Sequence, residues 1–529
     1  MQRPTFHSQI SPIDYTNDDL SSFANFLEEK LNEHWDSLVT DASLDVTITY
    51  RRLNEICKQF AKVLQEIGLC SKDIVHIYAE NSILWAVGYI AAQYQNLIAS
   101  CSHATSPVSA INRNLEVTKS SVLIASKEKW DKVKDEIQSD GLAVVLVCTE
   151  TKNSQNEYEL SSEKIVYKDL VHFVDDELND VCQMAMTSGS TGVPKVILMQ
   201  NRYCIEIIKV FLHPSVAPAS KNDVVNAIQP FPHVGGFNLN FATYISVGAH
   251  IVIMKKFDNT FFDVIRKYKV QHIFALAGIF TYLSTLSHID KNELSFVETI
   301  LTGGALQGTT VYKKVREIFG EHFNSLSVYG LSESVPLFVS SSQLGTTLHN
   351  AGLVCPNGEY KLVDINDNEK LANPGEICVK GTPMFKCYFQ DEEKTRNSFT
   401  SDGFFKTGDF GFASDNGELE ILSRTKEIIK FGDQTIFPVE IENYLNSHPS
   451  VHLSAVVAKK HSLHGEIPVA FVVLKSECLA GDLIAFIEKE VPDYKRLHYI
   501  KILDEMPLNN NKKIDKLLLR KNAETCFDS

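Results

Sequence analysis

Apolar positions recur at two characteristic spacings along the chain. Leu53, Ile56, Phe60, Val63, Leu64 and Ile67 fall three and four residues apart, which predicts a helix with one buried face, and Gly68 is placed to end it. Ile74–Tyr78 follows as a short apolar run of strand type. The same alternation returns downstream: 250–254 reads as a buried strand, 262–268 as a helix and 270–274 as another strand. Helix and strand alternating over such a length predict an α/β architecture. The stretch 83–100 is the most apolar long one, but Gln93, Gln95 and Asn96 interrupt it, so it reads as a buried segment rather than a membrane span. Residues before Asp45 are polar in the main and carry no motif. Near the C-terminus the pattern changes to a helix at 439–445, strands at 453–457 and 469–474, and a helix at 482–488. That set is enough for a small α+β domain with its own core. We place its boundary at Lys426, giving domains 1–425 and 426–529.

Composition narrows the function. The 529 residues leave room for several cores, and 44% hydrophobic with 22% charged residues is globular usage rather than that of a disordered chain. A net charge of −15 argues against nucleic acid as a partner. An anionic cofactor then needs a locally electropositive site. The 11 cysteines are odd in number and form no C-x-x-C, which speaks against a disulfide framework or a zinc site and for a reducing compartment. The first residues lack the apolar core of a secretory leader, and Cys526-Phe527-Asp528-Ser529 is not a peroxisomal address, so the expected location is intracellular and cytoplasmic, with no obligate membrane span.

The segment richest in chemistry is Thr187-Ser188-Gly189-Ser190-Thr191-Gly192-Val193-Pro194-Lys195. Glycines let backbone N–H groups turn toward a phosphate, hydroxyls donate further hydrogen bonds, and the lysine adds charge. The spacing is not that of the Walker loop. An apolar strand, Val196-Ile197-Leu198-Met199, follows it. In order downstream stand Phe231-Pro232-His233-Val234-Gly235-Gly236, Thr302-Gly303-Gly304-Ala305, Tyr329-Gly330-Leu331-Ser332-Glu333, Thr407-Gly408-Asp409, Ser423-Arg424-Thr425-Lys426-Glu427 and the run 507–516. Each is weak alone; in this order they are specific.

The ordered set resembles the adenylate-forming superfamily, which comprises acyl- and aryl-CoA synthetases, beetle luciferases and peptide-synthetase adenylation domains; the likeness runs over nearly the whole chain and is nearest to acyl-CoA synthetases and 4-coumarate–CoA-ligase-like members. It implies a large multi-subdomain N-terminal domain and a small mobile C-terminal lid. It implies activation of a carboxylic acid by ATP, release of pyrophosphate, and transfer of the acyl group to coenzyme A, with Mg²⁺ as cofactor. By family position, Thr187 to Lys195 covers the β- and γ-phosphates, and Gly303, Gly304, Ala305, Tyr329 and Gly330 form the adenine cleft with the Tyr329 ring stacked on the base. Ser332 bonds the α-phosphate, Glu333 holds Mg²⁺, Asp409 accepts the ribose hydroxyls and Arg424 contacts ribose or phosphate. Lys426 is the hinge, Lys513 bridges carboxylate and α-phosphate, His233 gates the acid site, and Gly432 lies in the 430–434 loop that lines the pantetheine tunnel.

The sequence departs from the family pattern at several positions. Lys512 stands where the family has glycine, which leaves open whether Lys512 or Lys513 reaches the active site; Val196, Asn201, Ser423 and Cys387 are further exchanges. None removes a charged catalytic group. The segment Pro230 to Val234 lacks the aspartate of amino-acid-activating members, which disfavours an α-amino acid substrate, because an unpaired ammonium is costly to bury. Gly235, Gly236, Phe237, Leu239, Phe241 and Ala242 predict an apolar pocket for a fatty, branched or aryl acid. Loading of a carrier protein and luciferase-like adenylate chemistry are the alternatives to free coenzyme A.

Overall fold

The computed structural model describes residues 5–16, 18–138, 141–187, 195–216, 219–286, 291–304, 309–320, 323–341, 343–347, 350–365, 367–432, 434–508 and 514–526. The helix predicted from the 53–67 pattern spans Tyr50–Glu66; the Thr49 side chain caps it by accepting from the Arg52 N–H, and Gly68 closes it at φ +92°. Strand Ile74–Tyr78 is buried along its whole length and lies parallel to Ile98–Cys101 and Val122–Ser126. A strand covered on both faces must be apolar throughout, which is why this one reads as a run and not as an alternation. The apolar stretch 83–100 is a buried helix, Ile83–Tyr94, followed by strand Ile98–Cys101. Among the described residues no helix is long and apolar enough to cross a membrane.

The chain divides into two compact units, one of residues 7–359 with 380–398, the other chiefly of 360–379 with 399–529. The first unit holds two sheets. The eight-stranded sheet runs, edge to edge, Cys387–Tyr388, Lys195–Gln200, Val181–Thr187, Ile98–Cys101, Ile74–Tyr78, Val122–Ser126, Val144–Lys152, Tyr158–Val166. In the nine-stranded sheet Asn324–Leu331, Thr299–Gly303, His272–Leu276, Val224–Ala227, His250–Ile253 and Leu38–Asp41 are parallel neighbours in that order. The residues before Asp45 are therefore structured. Helix Phe23–Glu33, capped by Ser22, buries Phe23, Leu27 and Leu31 at four-residue spacing, and Leu38–Asp41 joins the sheet. Asn25, Glu28, Glu29 and Lys30 between these positions hide a narrow buried stripe.

In the second unit a five-stranded sheet carries helices on both faces. Val456, Ala458, Ala470 and Val472 face Ile441, Leu445, Leu483 and Ile487, while Ala455, Val457, Val469 and Phe471 face Leu519 and Ala523 of helix Lys516–Cys526. The two-residue period sends alternate side chains to opposite cores. Strands Val451–His461 and Gly465–Leu474 are longer than predicted, because the polar 459–461 end pairs with 465–467. Lys426 lies in the 3₁₀ turn Thr425–Glu427, between the six-stranded and five-stranded sheets of this unit.

Candidate active site

In open α/β sheets, ligands collect beyond the C-terminal ends of the parallel strands. Several of the predicted residues lie there. Strand Thr299–Gly303 ends at Gly303, which pairs with Val328, and a Cβ on Gly303 would lie 2.8 Å from the Val328 carbonyl oxygen. No side chain fits, and Gly304 continues at φ +86°. Tyr329 follows Val328 and is only partly covered, its ring 5.9 Å from that of Phe338. Ala305 lies outside the described residues.

The next strands form a hairpin. Leu331 pairs with Ser334, so Ser332 and Glu333 are the two residues of a tight loop. The register is irregular between Tyr329 and Leu331, where a Cβ on Gly330 would come within 2.6 Å of Val335 Cγ2. The loop is pinned from outside the hairpin. The buried Tyr203 hydroxyl donates to the Ser332 carbonyl at 3.0 Å, and the Phe385 N–H donates to the Glu333 carbonyl at 2.8 Å. The Tyr388 hydroxyl donates to Glu333 Oε1 at 2.7 Å. Burial, and then the Glu333 charge, raise the pKa of the Tyr388 phenol well above the ordinary tyrosine range, so it stays protonated and donates.

Lys195 completes this corner. Its Nζ sits 4.7 Å from the centre of the Tyr388 ring, and Lys394 approaches the same ring at 5.8 Å. Burial and the neighbouring Lys394 lower the Lys195 pKa, against the pull of Glu333 and Asp391. Lys195 pairs with Thr187 across the antiparallel strands Val181–Thr187 and Lys195–Gln200, and the Thr187 hydroxyl donates to the Lys195 carbonyl at 3.5 Å. Both ends of the predicted phosphate loop are thus fixed. Ser188, Gly189, Ser190, Thr191 and Gly192 lie outside the described residues. The donor set at Glu333, a carboxylate oxygen with no thiol or imidazole bonded to it among the described residues, suits a hard cation that completes its shell with water and phosphate oxygens. Mg²⁺ therefore fits this residue.

His233 is exposed at the start of the short helix Val234–Phe237, and its Nδ1 accepts from the Gly235 N–H at 3.2 Å. The segment after it is not the uniformly apolar lining that the sequence predicts. Phe237 and Phe241 are spent on packing, stacked at 5.3 Å and surrounded by Trp85, Tyr89 and Phe231. Asn238 and Asn240 on the same turn are buried and bonded, to Gln183 Oε1 at 3.3 Å and the Asn226 carbonyl at 2.7 Å. A π-helical turn at Asn238–Ala242 sends residues inward at a wider spacing than the usual helix, so polar and apolar side chains alternate in the same core.

In the second unit, Asp409 and Arg424 face each other across strands Phe405–Ala413 and Leu419–Arg424, with Arg424 Nε 2.9 Å from Asp409 Oδ1. Asp409 is buried, and Arg424 is 43% exposed. The Asp409 N–H donates to the Thr407 hydroxyl, which itself donates to the Ile377 carbonyl. Gly432 turns between Ile429–Phe431 and Gln434–Ile436 at φ +61°, and its N–H donates to the His464 carbonyl at 2.7 Å. Lys512 and Lys513 lie outside the described residues. The chain on either side of them is closed by a Leu508–Ile514 bridge and by the Asp515 N–H donating to the Pro507 carbonyl. Lys516 just beyond binds Glu442 at 2.8 Å and Glu427 at 3.2 Å, and although burial pulls its pKa down, the two carboxylates outweigh that and raise it.

The profile of the AMP-binding enzymes matches residues 27–389, and that of the AMP-binding enzyme C-terminal domain matches 440–513. The chain belongs to the AMP-binding enzyme family. This bears out the adenylate-forming resemblance of the ordered motifs. Among curated AMP-binding relatives, 4-coumarate–CoA ligase CCL1 of Humulus lupulus is 27% identical over 506 residues, 89% of this chain and 88% of that protein. ATP-bound MatB from Rhodopseudomonas palustris has a similar fold, with a TM-score of 0.83 at 20% identity over 96% of this chain and 100% of that one. So does o-succinylbenzoate coenzyme A synthetase (MenE) from Bacillus subtilis in complex with ATP and magnesium ion, at 0.77 and 22% over 94% and 99%. These likenesses bear out the predicted mixed α/β fold of this AMP-binding enzyme. Tyr388 and Tyr203 are the residues that motif reading missed. Tyr388 is 55 positions from Glu333 and belongs to a two-residue edge strand, so no local spacing links the two.

Proposed function

We propose that the protein activates a carboxylic acid with ATP, releases pyrophosphate, and passes the acyl group from the adenylate to coenzyme A. The observation that carries this reading is the Lys195–Tyr388–Glu333 corner beside the hairpin loop that presents Ser332. Adenylation brings two anions together, the carboxylate and the α-phosphate, so the site must offset charge as it develops. In this reading Lys195 and Thr187 hold the ends of the loop over the terminal phosphates, and Ser332 donates to the α-phosphate. Glu333, oriented by Tyr388, holds Mg²⁺, which when bound neutralises phosphate charge. Tyr329 stacks on adenine along Gly303, Gly304 and Gly330, while Asp409, held by Arg424, accepts the ribose hydroxyls. Lys513 bridges carboxylate and α-phosphate as a point charge. Lys426 is the pivot that exchanges Lys513 for the Gly432 loop between the two half-reactions, and 426–529 is the moving lid. His233 gates the acid.

The acid we favour is an aryl or other apolar one, supported by the 4-coumarate–CoA ligases among the relatives and by the lack of an aspartate in the segment Pro230 to Val234. The eleven free thiols support a reducing, cytoplasmic setting. A panel of hydroxycinnamic, benzoic, fatty and branched acids, each with ATP, Mg²⁺ and coenzyme A, tests the reading. AMP, pyrophosphate and a thioester should form in equal amounts with at least one acid. ADP and inorganic phosphate as products would overturn it.

A further inference from the structure

We infer that Cys70, His172 and Asp73 form a reactive-thiol site at which a low-molecular-weight disulfide modifies Cys70. The three residues are outside the machinery described above and come from two distant parts of the chain. Cys70 to Asp73 is the turn that leads into strand Ile74–Tyr78; its Asp73 N–H donates to the Cys70 carbonyl at 3.0 Å, and the Cys70 N–H donates to Asp73 Oδ2 at 2.7 Å. The Asp73 carboxylate is buried beneath the turn, at 4% exposure. His172 arrives from nearly one hundred residues later and places its Nδ1 2.7 Å from the same Asp73 Oδ2. Its Nε2 faces Cys70 Sγ at 3.9 Å. Both Cys70 and His172 are exposed.

The order of these contacts fixes the chemistry. A carboxylate that already accepts a backbone N–H has only lone pairs to offer the imidazole, so Nδ1 carries the hydrogen and Nε2 presents its lone pair to the thiol. A nucleophile, a base and a buried carboxylate that orients the base then stand in line, open to solvent. Three donors within 4.8 Å of one another also suggest a metal site. Asp73 lies behind the imidazole, however, and Cys70 and His172 alone supply two direct ligands, fewer than the three or four that a protein zinc site uses.

The reaction is thiol–disulfide exchange. The Cys70 S–H bond breaks and its proton passes to His172 Nε2. The sulfur attacks one sulfur of the disulfide RSSR, a new Cys70–S–S–R bond forms, and the original S–S bond breaks to release RS⁻, which takes up a proton. Cys70 is oxidised, and the departing half of RSSR is reduced to the thiol. Cys526 is the built-in reference: it is also exposed, but its Sγ accepts from Lys501 Nζ at 3.3 Å and, among the described residues, faces no base bonded to a carboxylate.

The test uses the whole protein and oxidised glutathione in limiting amount, followed by alkylation of the remaining thiols and peptide mass spectrometry. Cys70 should form the mixed disulfide before Cys526. His172→Ala should slow modification of Cys70 at least about tenfold, a conservative part of the roughly 100-fold that general-base assistance supplies, and leave the Cys526 rate unchanged. The unchanged Cys526 rate separates loss of the base from loss of the fold. Equal Cys70 rates in the wild type and His172→Ala, or faster modification of Cys526 than of Cys70, would overturn the assignment. So would stoichiometric binding of Zn²⁺ that depends on His172 and leaves Cys70 unreactive to the disulfide.

Discussion

Two carboxylates at the centre of the proposed chemistry are held in different ways. Asp409 is buried and meets its cation directly, across adjacent strands whose register places Arg424 opposite it. Glu333 is half-exposed on a two-residue loop, and a neutral phenol from a distant segment orients it. The first arrangement spends the carboxylate's charge on a protein partner and suits it to receive neutral hydroxyls. The second has, among the described residues, no Arg or Lys at hydrogen-bond distance, which suits it to a bound cation. Lys195 lies against the Tyr388 ring face instead. The difference teaches that the partner of a carboxylate, more than its burial, indicates what it is left to bind.

The strongest way to break this comparison is to remove charge at Glu333. Glu333→Gln keeps an acceptor for Tyr388 but not the negative charge, and should cut acid-dependent pyrophosphate release at least about 100-fold. A loss of only a few-fold, measured at saturating ATP and Mg²⁺, would mean that Glu333 is not the metal-holding group. Asp409→Asn should act mainly on nucleotide binding, raising KM for ATP about tenfold with a smaller change in kcat, because the amide still accepts one hydroxyl but no longer balances Arg424. A kcat loss as large as that of Glu333→Gln would erase the distinction between the two carboxylates. Tyr388→Phe should be milder. It removes one hydrogen bond to a charged group, at the low end worth about 1.5 kcal/mol, so kcat/KM should fall about tenfold and the Mg²⁺ dependence should shift to higher concentration. An unchanged Mg²⁺ dependence would detach Tyr388 from the metal.

Much of this was legible in the chain and some was not, for physical reasons. Helix Tyr50–Glu66 announces itself because it buries a periodic set of residues, and strand Ile74–Tyr78 because it buries a continuous apolar run. Asp409 and Arg424 were both readable as members of local motifs, and the ladder pairs them directly, just before its register shifts between Phe410 and Gly411. Glu333 was equally readable, but its orienting Tyr388 was not, since the hydrogen bond depends on how strand Cys387–Tyr388 docks on the edge strand Lys195–Gln200. Asn238 and Asn240 were passed over in favour of their apolar neighbours because a π-helical turn changes which residues face inward. Helix Phe23–Glu33 escaped because its stripe is narrow.

The smallest effect on activity is expected at a third carboxylate that belongs to neither arrangement. Burial, and then the nearby Asp41, push the Glu150 pKa up to about 7, against hydrogen bonds from the Leu84 N–H and the Tyr158 hydroxyl. A carboxyl whose folded pKa is raised favours the fold fully below its unfolded value, near 4.5, and that contribution is lost as pH rises through about 7. Glu150→Gln cannot ionise and should escape the loss. Its Tm should exceed that of the wild type by more at pH 8 than at pH 5, with turnover unchanged. A Tm difference that is the same at both pH values would show that Glu150 does not titrate in the fold.

The central claim is that an acyl-adenylate forms by attack on the α-phosphate, before any thiol takes part. Exchange of labelled pyrophosphate into ATP, with acid and Mg²⁺ present and coenzyme A left out, tests this most directly. The account predicts acid-dependent exchange without coenzyme A, lost in Glu333→Gln. Thioester formation with coenzyme A but no pyrophosphate exchange in its absence, or exchange of labelled inorganic phosphate instead, would contradict it.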